Sequence, residues 1–278
     1  MNRVNLFIIG INKAGTNWLN NFLAQHPDVF MSDVKEFNFF NNRESGTETL
    51  DEYHRYFPFS DGYDYYGEAS AHYYEDEAVA SRIHAYNPSA KLLAVVRDPI
   101  DRLRSQYRYH KQLGVIDEDT TLEEALTEKD PALLRDSHYE RTLPVFADRF
   151  GPDQFQVVSL ERGLRNPEAE WKRLLDYLSL SRAPCPDEDS LPKNPTGSAS
   201  FRQLYRMTIR PIRRHTPSLY RWMLQSLIVQ QAKSGLLRLL GTAKKTSISS
   251  SLRAELCAEF APTYEYLYDL GFDVYESE

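Results

Sequence analysis

The chain has 278 residues, 41% of them hydrophobic, and carries 40 acidic against 33 basic residues for a formal net charge of −7. That apolar share suffices for a full core, and an acidic balance of this size gives no reason to expect a nucleic-acid partner. Two cysteines, Cys185 and Cys257, are too few for a disulfide scaffold and lack metal-ligand spacing, so both read as inert thiols and no metal is expected.

The first apolar run spans 4–10 and reads as a buried parallel strand. It empties into a loop holding Gly10 and Gly15, and a helical pattern follows through Trp18, Leu19, Phe22 and Leu23. A strand, a glycine-bearing loop and a helix N-terminus in that order present backbone N–H groups and a positive dipole end to a phosphate. The Gly10-x-x-x-x-Gly15 spacing is that of a nucleoside-triphosphate P-loop, but Thr16 stands where that motif needs lysine. The cation is Lys13, inside the loop.

Further strands are expected at 63–68, 91–96 and 155–160, each followed by a helical pattern. That alternation predicts an α/β fold with a central parallel sheet flanked by helices. With no Gly/Ser- or Pro-rich linker, a single domain over 1–278 is expected, with a core at 4–180. The aromatic segment 41–62, with Tyr53, Tyr56, Phe57 and Phe59, is expected over the sheet's C-terminal edge, to stack on an acceptor or to pack. The strand at 91–96 runs into Arg97, where a P-loop kinase strand would end in a Mg²⁺-binding aspartate. Pro99 opens the next helix, with Arg102, Arg104 and Arg108 expected on its surface. A final helix is expected over 249–270, with Leu252, Leu256, Phe260, Tyr264 and Leu267 as its core stripe.

Charge is uneven. From Ser190 to Ala254 there is no Asp or Glu, while the same stretch holds twelve Lys and Arg, leaving 21 basic against 40 acidic residues elsewhere. A one-signed block of this length calls for a partner or an acidic surface to screen it. Leu219, Trp222, Met223 and Leu227, then Leu236 to Leu240, recur beside the cations at helical spacing. The block therefore reads as a wall or lid on the acceptor side, as a peripheral membrane contact through 202–245, or as a cover for the core.

Lys13-Ala14-Gly15-Thr16-Asn17-Trp18 resembles the Lys-Ser-Gly-Thr-Thr-Trp signature of sulfotransferases that use 3′-phosphoadenosine 5′-phosphosulfate (PAPS). Arg97 and Ser105 have the spacing of that family's 3′-phosphate ligands. Lys35-Glu-Phe-Asn-Phe-Phe40 and Gly67-Glu-Ala-Ser-Ala-His-Tyr-Tyr74 are similar to later elements of the carbohydrate and heparan enzymes of that family. The resemblance implies a P-loop-like sulfotransferase fold and transfer of a sulfuryl group from PAPS to a hydroxyl or amine, leaving PAP. The acceptor would be a glycan or another small molecule. It implies that Lys13 to Asn17 hold the 5′-phosphosulfate, Trp18 packs near the adenine, Arg97 and Ser105 hold the 3′-phosphate, and Lys13 attends the departing oxygen. Glu36 is the implied base and His72 its alternative, while Glu68 orients its neighbours; as a bare residue Glu36 could also be a surface carboxylate paired with Lys35. Arg202 lies where the family's cofactor-covering loop falls, although no Lys-Gly pair accompanies it. Ala69 and Asn38 depart from the lysine and histidine usual in the heparan enzymes. With no run of eighteen apolar residues, and numbering that opens on a strand, a cytoplasmic and bacterial setting is expected. A P-loop-related phosphotransferase or a non-catalytic nucleotide-binding module is the alternative class.

Overall fold

The computed structural model describes residues 3–41, 49–187 and 248–272. Two compact units are distinguished, one within Met1–Pro99, His138–Lys193 and Phe260–Glu278, the other within Ile100–Ser137 and Asn194–Glu259. The first is α/β. It contains a five-stranded sheet of β1 (Leu6–Gly10), β2 (Val29–Met31), β3 (Tyr65–Ala69), β4 (Lys91–Val96) and β5 (Phe155–Ser159). Spatial order is β2-β3-β1-β4-β5 and every pairing is parallel.

β1 is central, with Leu6 opposite Gly67 on one side and Lys91 on the other, and all five of its residues are buried. A strand covered on both faces needs an unbroken apolar run, which is why this segment is so legible in the sequence. Its side chains alternate between faces. Leu6 and Ile8 join the core made with α1 (Thr16–Leu23) and, further along the chain, Trp171, Leu174 and Leu178 of a helix at 167–178. Phe7 points to an aromatic layer instead, edge-on to Phe40 and Tyr86. That layer takes in α2 (Leu50–His54) and α3 (Ala78–Tyr86). Tyr53 is fully buried, stacked on Phe39 at 4.7 Å and edge-on to Phe37, and Phe57 is 5% exposed, so these two rings of the 41–62 segment pack rather than face an acceptor.

α4 (Pro99–Leu113) starts at Pro99, as expected. Within the second unit Arg102 is wholly buried, donating to Ser137 Oγ at 2.6 Å and to the Leu133 carbonyl at 2.7 Å; it is a structural strut and not a surface cation. The short α5 (Leu122–Glu124) opens on a capping box between Thr121 and Glu124, and α6 (Ala132–Arg135) follows. In the first unit α7 (Tyr139–Phe150) precedes β5, and α8 (Leu160–Arg165) and α9 (Pro167–Leu178) follow it. Asn166 caps α9 by accepting from Ala169 N–H, with Pro167 at its first position.

The expected last helix is two, α10 (Ser250–Glu259) and α11 (Ala261–Asp269). Pro262 has no N–H and its ring clashes with the carbonyl four residues earlier, so the chain starts a new helix there. All five residues of the expected stripe are buried. β2 was not expected at all: three residues are too few to display a period. Most of the basic block, including Arg202 and the helical pattern at 219–240, lies outside the described residues. No helix among the described residues is long and apolar enough to cross a membrane.

α8 packs on α1 through a glycine. A Cβ at Gly163 would sit 2.3 Å from Cη2 of Trp18, a ring atom that cannot swing aside. Gly163→Ala is expected to destabilise the protein by about 1–3 kcal/mol, as overpacking does. Urea midpoints of the variant and wild type measure this; an unchanged midpoint would show that the α1–α8 contact is looser than described.

Candidate functional site

The loop after β1 leaves the sheet abruptly. Ile11 N–H donates to the Val95 carbonyl at 3.0 Å, and Ala14 N–H returns to the Ile11 carbonyl at 3.0 Å. Lys13 adopts φ 70° and Gly15 φ 112°. At Gly15 a Cβ would lie 2.7 Å from Leu160 Cδ1, so both conformation and space require glycine there. The α1 helix then begins at Thr16 with no acidic residue in its first turn. Its leading N–H groups have no intrahelical acceptor and stand at the positive end of the dipole, an arrangement suited to an anion. Trp18 stacks on Phe22 at 5.1 Å, and its indole N–H is buried with no hydrogen-bond partner among the described residues.

The loops after β1 and β4 diverge, the first toward β2 and the second toward β5, which makes the gap between them the topological switch point of the sheet. Arg97 stands at the β4 side of it. Its backbone carbonyl accepts from Tyr139 Oη at 2.9 Å, and its Nε is 3.9 Å from Glu161 Oε1. Glu161 also accepts from Asp98 N–H at 3.0 Å, and Asp98 in turn accepts from Tyr264 Oη at 2.8 Å. Burial pushes the Glu161 carboxyl up, against the pull of the Asp98 N–H and Arg97.

A second group gathers at the end of β3. Glu36 N–H donates to the Ala69 carbonyl at 2.9 Å, and Ala71 N–H donates to Glu36 Oε2 at 3.1 Å. Glu36 has φ 58° and Asn38 φ 54°, both left-handed and both unusual for non-glycine residues. Removal of the Glu36 carboxyl from water pushes its pKa up, opposed by His72, the Ala71 N–H and Lys35. His72 caps a 3₁₀ turn, Tyr73–Glu75, in which residues three apart overlie one another, and its Nδ1 bonds Glu75 Oε1. Lys35 makes no ion pair with Glu36; its Nζ donates to Asn17 Oδ1 at 3.0 Å and Asn21 Oδ1 at 3.3 Å. Beneath them lies Glu68, fully buried, with Tyr53 Oη (2.8 Å) and Tyr73 Oη (2.9 Å) donating to Oε1 and Ser70 Oγ (2.8 Å) donating to Oε2.

A family model described as a sulfotransferase domain matches residues 3–193, more than half of the chain. The chain belongs to the sulfotransferase family. It is 30% identical over 185 residues to mouse heparan sulfate glucosamine 3-O-sulfotransferase 5, covering 62% of this chain and 52% of that protein. Over 115 residues it is 36% identical to mouse bifunctional heparan sulfate N-deacetylase/N-sulfotransferase 1, covering 38% of this chain and 13% of that one. The chain thus spans about half the length of the first relative and far less of the second. Among solved structures, a sulfotransferase from Alicyclobacillus acidocaldarius superposes with a TM-score of 0.61 at 25% identity, over 79% of this chain and 96% of that one. The sheet and its flanking helices are those of the P-loop-like sulfotransferase fold.

The first unit holds Lys13, Ala14, Gly15, Thr16, Asn17, Trp18, Glu36, His72 and Arg97 on the loops at the C-terminal ends of β1, β2, β3 and β4 and in the start of α1. Ser105 lies on α4 within the second unit, where it is nearly buried. Three residues that the structure brings to this candidate site were given no role at it by the sequence reading: Lys35, Glu75 and Glu161. Glu75 carried a usable signal, its i+3 spacing from His72. For Lys35 the misleading signal was adjacency to Glu36.

Glu68 generates a pH prediction. Burial raises its carboxyl from 4.5 to about 7, against three hydrogen-bond donors. Between those values the folded protein holds a proton that the unfolded chain has released, so stability falls as pH rises through the window. The loss is complete above about pH 7 and amounts to about 3 kcal/mol. Urea unfolding of wild type and Glu68→Gln at pH 4.5, 6 and 8 measures it: the stability of wild type relative to the variant should fall across this range. A constant difference would show that Glu68 does not titrate there.

Proposed function

We propose that the chain is a PAPS-dependent sulfotransferase that sulfates a hydroxyl or amine of a carbohydrate or other small-molecule acceptor. The observation that carries this reading is the pairing of an in-loop lysine, Lys13, at the N-terminal end of α1 with an arginine, Arg97, across the switch point of the sheet. Transfer forms a bond from the acceptor atom to sulfur and breaks the bond from sulfur to the bridging oxygen of the phosphosulfate. Lys13 and the first N–H groups of α1 stabilise the charge that collects on the departing phosphate. Arg97 suits a 3′-phosphate because its planar fork meets phosphate oxygens in pairs. Ser105 joins it on the strength of sequence spacing.

The acceptor proton passes to Glu36, whose raised pKa makes it a stronger base than a solvated carboxylate. His72, held at Nδ1 by Glu75, is the second candidate. The family match gives the phosphotransferase alternative no support. Relatives named for heparan sulfate favour a glycan, while Ala69 and Asn38 point to a different acceptor from theirs. Arg202 as a donor contact, and the basic block as an acceptor-side wall or lid, a membrane contact or a cover for the core, remain proposals of the sequence.

Two titrations test the donor assignment. Arg97→Ala is expected to weaken PAP binding by about tenfold or more, the worth of a charge-assisted contact, while adenosine 5′-phosphosulfate, which lacks the 3′-phosphate, is nearly unaffected. Equal losses for the two ligands would remove Arg97 from the 3′ site. For the base, Glu36→Gln is expected to lower kcat by about 10²–10⁴ with PAP affinity retained. Turnover of labelled PAPS, on the acceptor that a screen of glycan and small-molecule pools selects, reads this out; near-normal turnover in Glu36→Gln together with none in His72→Ala would transfer the role to His72.

A further inference from the structure

Lys35 is a cation that the mechanism above does not use. It follows β2 and directly precedes Glu36, and its ammonium reaches across to α1, bridging Asn17 and Asn21. Those two residues are four apart and share one face of the helix, so the bridge lies along its N-terminal half. The setting is a poor one for a cation at rest. Both partners are neutral amide oxygens, weaker acceptors than a carboxylate, and the nearby helix end is positive. Lys13 adds a second ammonium-bearing side chain two residues before the Gly15 cap, and the first turn of α1 carries no acid. Burial also lowers the Lys35 pKa, against the pull of Glu36 and Asp33. An arrangement of this kind is relieved when an anion arrives.

Which part of the anion follows from the order of groups. In an in-line displacement the sulfur lies between the acceptor atom, next to the base, and the leaving oxygen, next to the phosphate loop. Lys35 is the neighbour of the proposed base in the chain and touches the proposed phosphate-loop helix in space. We propose that Lys35 is a sulfonate-binding residue, its ammonium taking a non-bridging oxygen of the transferable sulfonate while Lys13 attends the bridging one. This rests on the sulfuryl-transfer reading. Lys35 keeps its proton throughout and makes no covalent bond, and its contact supplies selectivity for the loaded donor over the spent one.

The test compares PAPS with PAP, which differ by that sulfonate, in the absence of acceptor. Lys35→Met keeps the length of the stem and removes the charge. It is expected to weaken PAPS about tenfold, the worth of one charge-assisted contact, and PAP by less than twofold, with Lys35→Arg restoring most of the PAPS affinity. A measurement on the unmodified protein covers the case in which Lys35→Met fails to fold. Acetic anhydride footprinting read by mass spectrometry should show Lys35 protected several-fold more by PAPS than by PAP. Equal losses for the two ligands, no loss for either, or equal protection would overturn the proposal. Failure of the wild type to bind either ligand would instead overturn the donor reading itself, and this assignment with it.

Discussion

The divergence of the chain after β1 and β4 is the constraint from which the rest of the site follows. β1 lies in the middle of the sheet, and the hydrogen bond from Ile11 to Val95 is its last tie to β4 before the two paths separate. A register shift between Ile8 and Gly10 lets the chain turn out of the sheet at that point. The turn is held from outside by close packing at glycines: Tyr74 lies against Gly10, Leu160 against Gly15, and Trp18 against Gly163. Side chains at those three positions would push the loop, α1 and α8 apart. Site geometry and core packing are therefore the same contacts viewed from two sides.

Backbone strain marks the same region. The described non-glycine residues with positive φ are Lys13, Glu36, Asn38 and Ser179. Ser179 is the C-terminal cap of α9, an ordinary place for that conformation. The other three carry the proposed leaving-group cation, the proposed base and the base's neighbour, at a cost on the order of 1–3 kcal/mol each. They persist because other groups hold them. Glu36 is held by Ala69 and Ala71, and Asn38 N–H donates to Ser70 Oγ, whose hydroxyl is itself bound by Glu68. Through that chain the aromatic layer under the sheet, with Tyr53 and Tyr73 on Glu68, fixes the position of the Glu36 carboxylate.

Strand and loop chemistry were legible because they are local. The runs at 4–10, 91–96 and 155–160 are long, apolar and buried on both faces, and Lys13, Gly15 and Arg97 sit at fixed offsets from them. β2 was not, since three residues show no period, and the break at Pro262 was masked by a hydrophobic stripe that continues through it. Arg102 was misplaced because a helical arginine among charged neighbours looks solvated, whereas its acceptors, Ser137 and the Leu133 carbonyl, come from more than thirty residues away. Lys35 failed for the same reason: its partners lie on α1 while its sequence neighbour suggests a local ion pair. What periodicity reports is burial; what it omits is the identity of the group across the gap.

The electrostatics of the site couple its two halves. The protein as a whole is acidic, so in the proposed reaction an anionic donor depends on local features, among the described residues the α1 dipole, Lys13, Lys35 and Arg97. The donor's charge then acts on Glu36, which is already pushed up by loss of water and stands beside the proposed sulfonate position. Added negative charge raises a carboxyl pKa further. In the proposed reaction the base therefore strengthens as the donor binds.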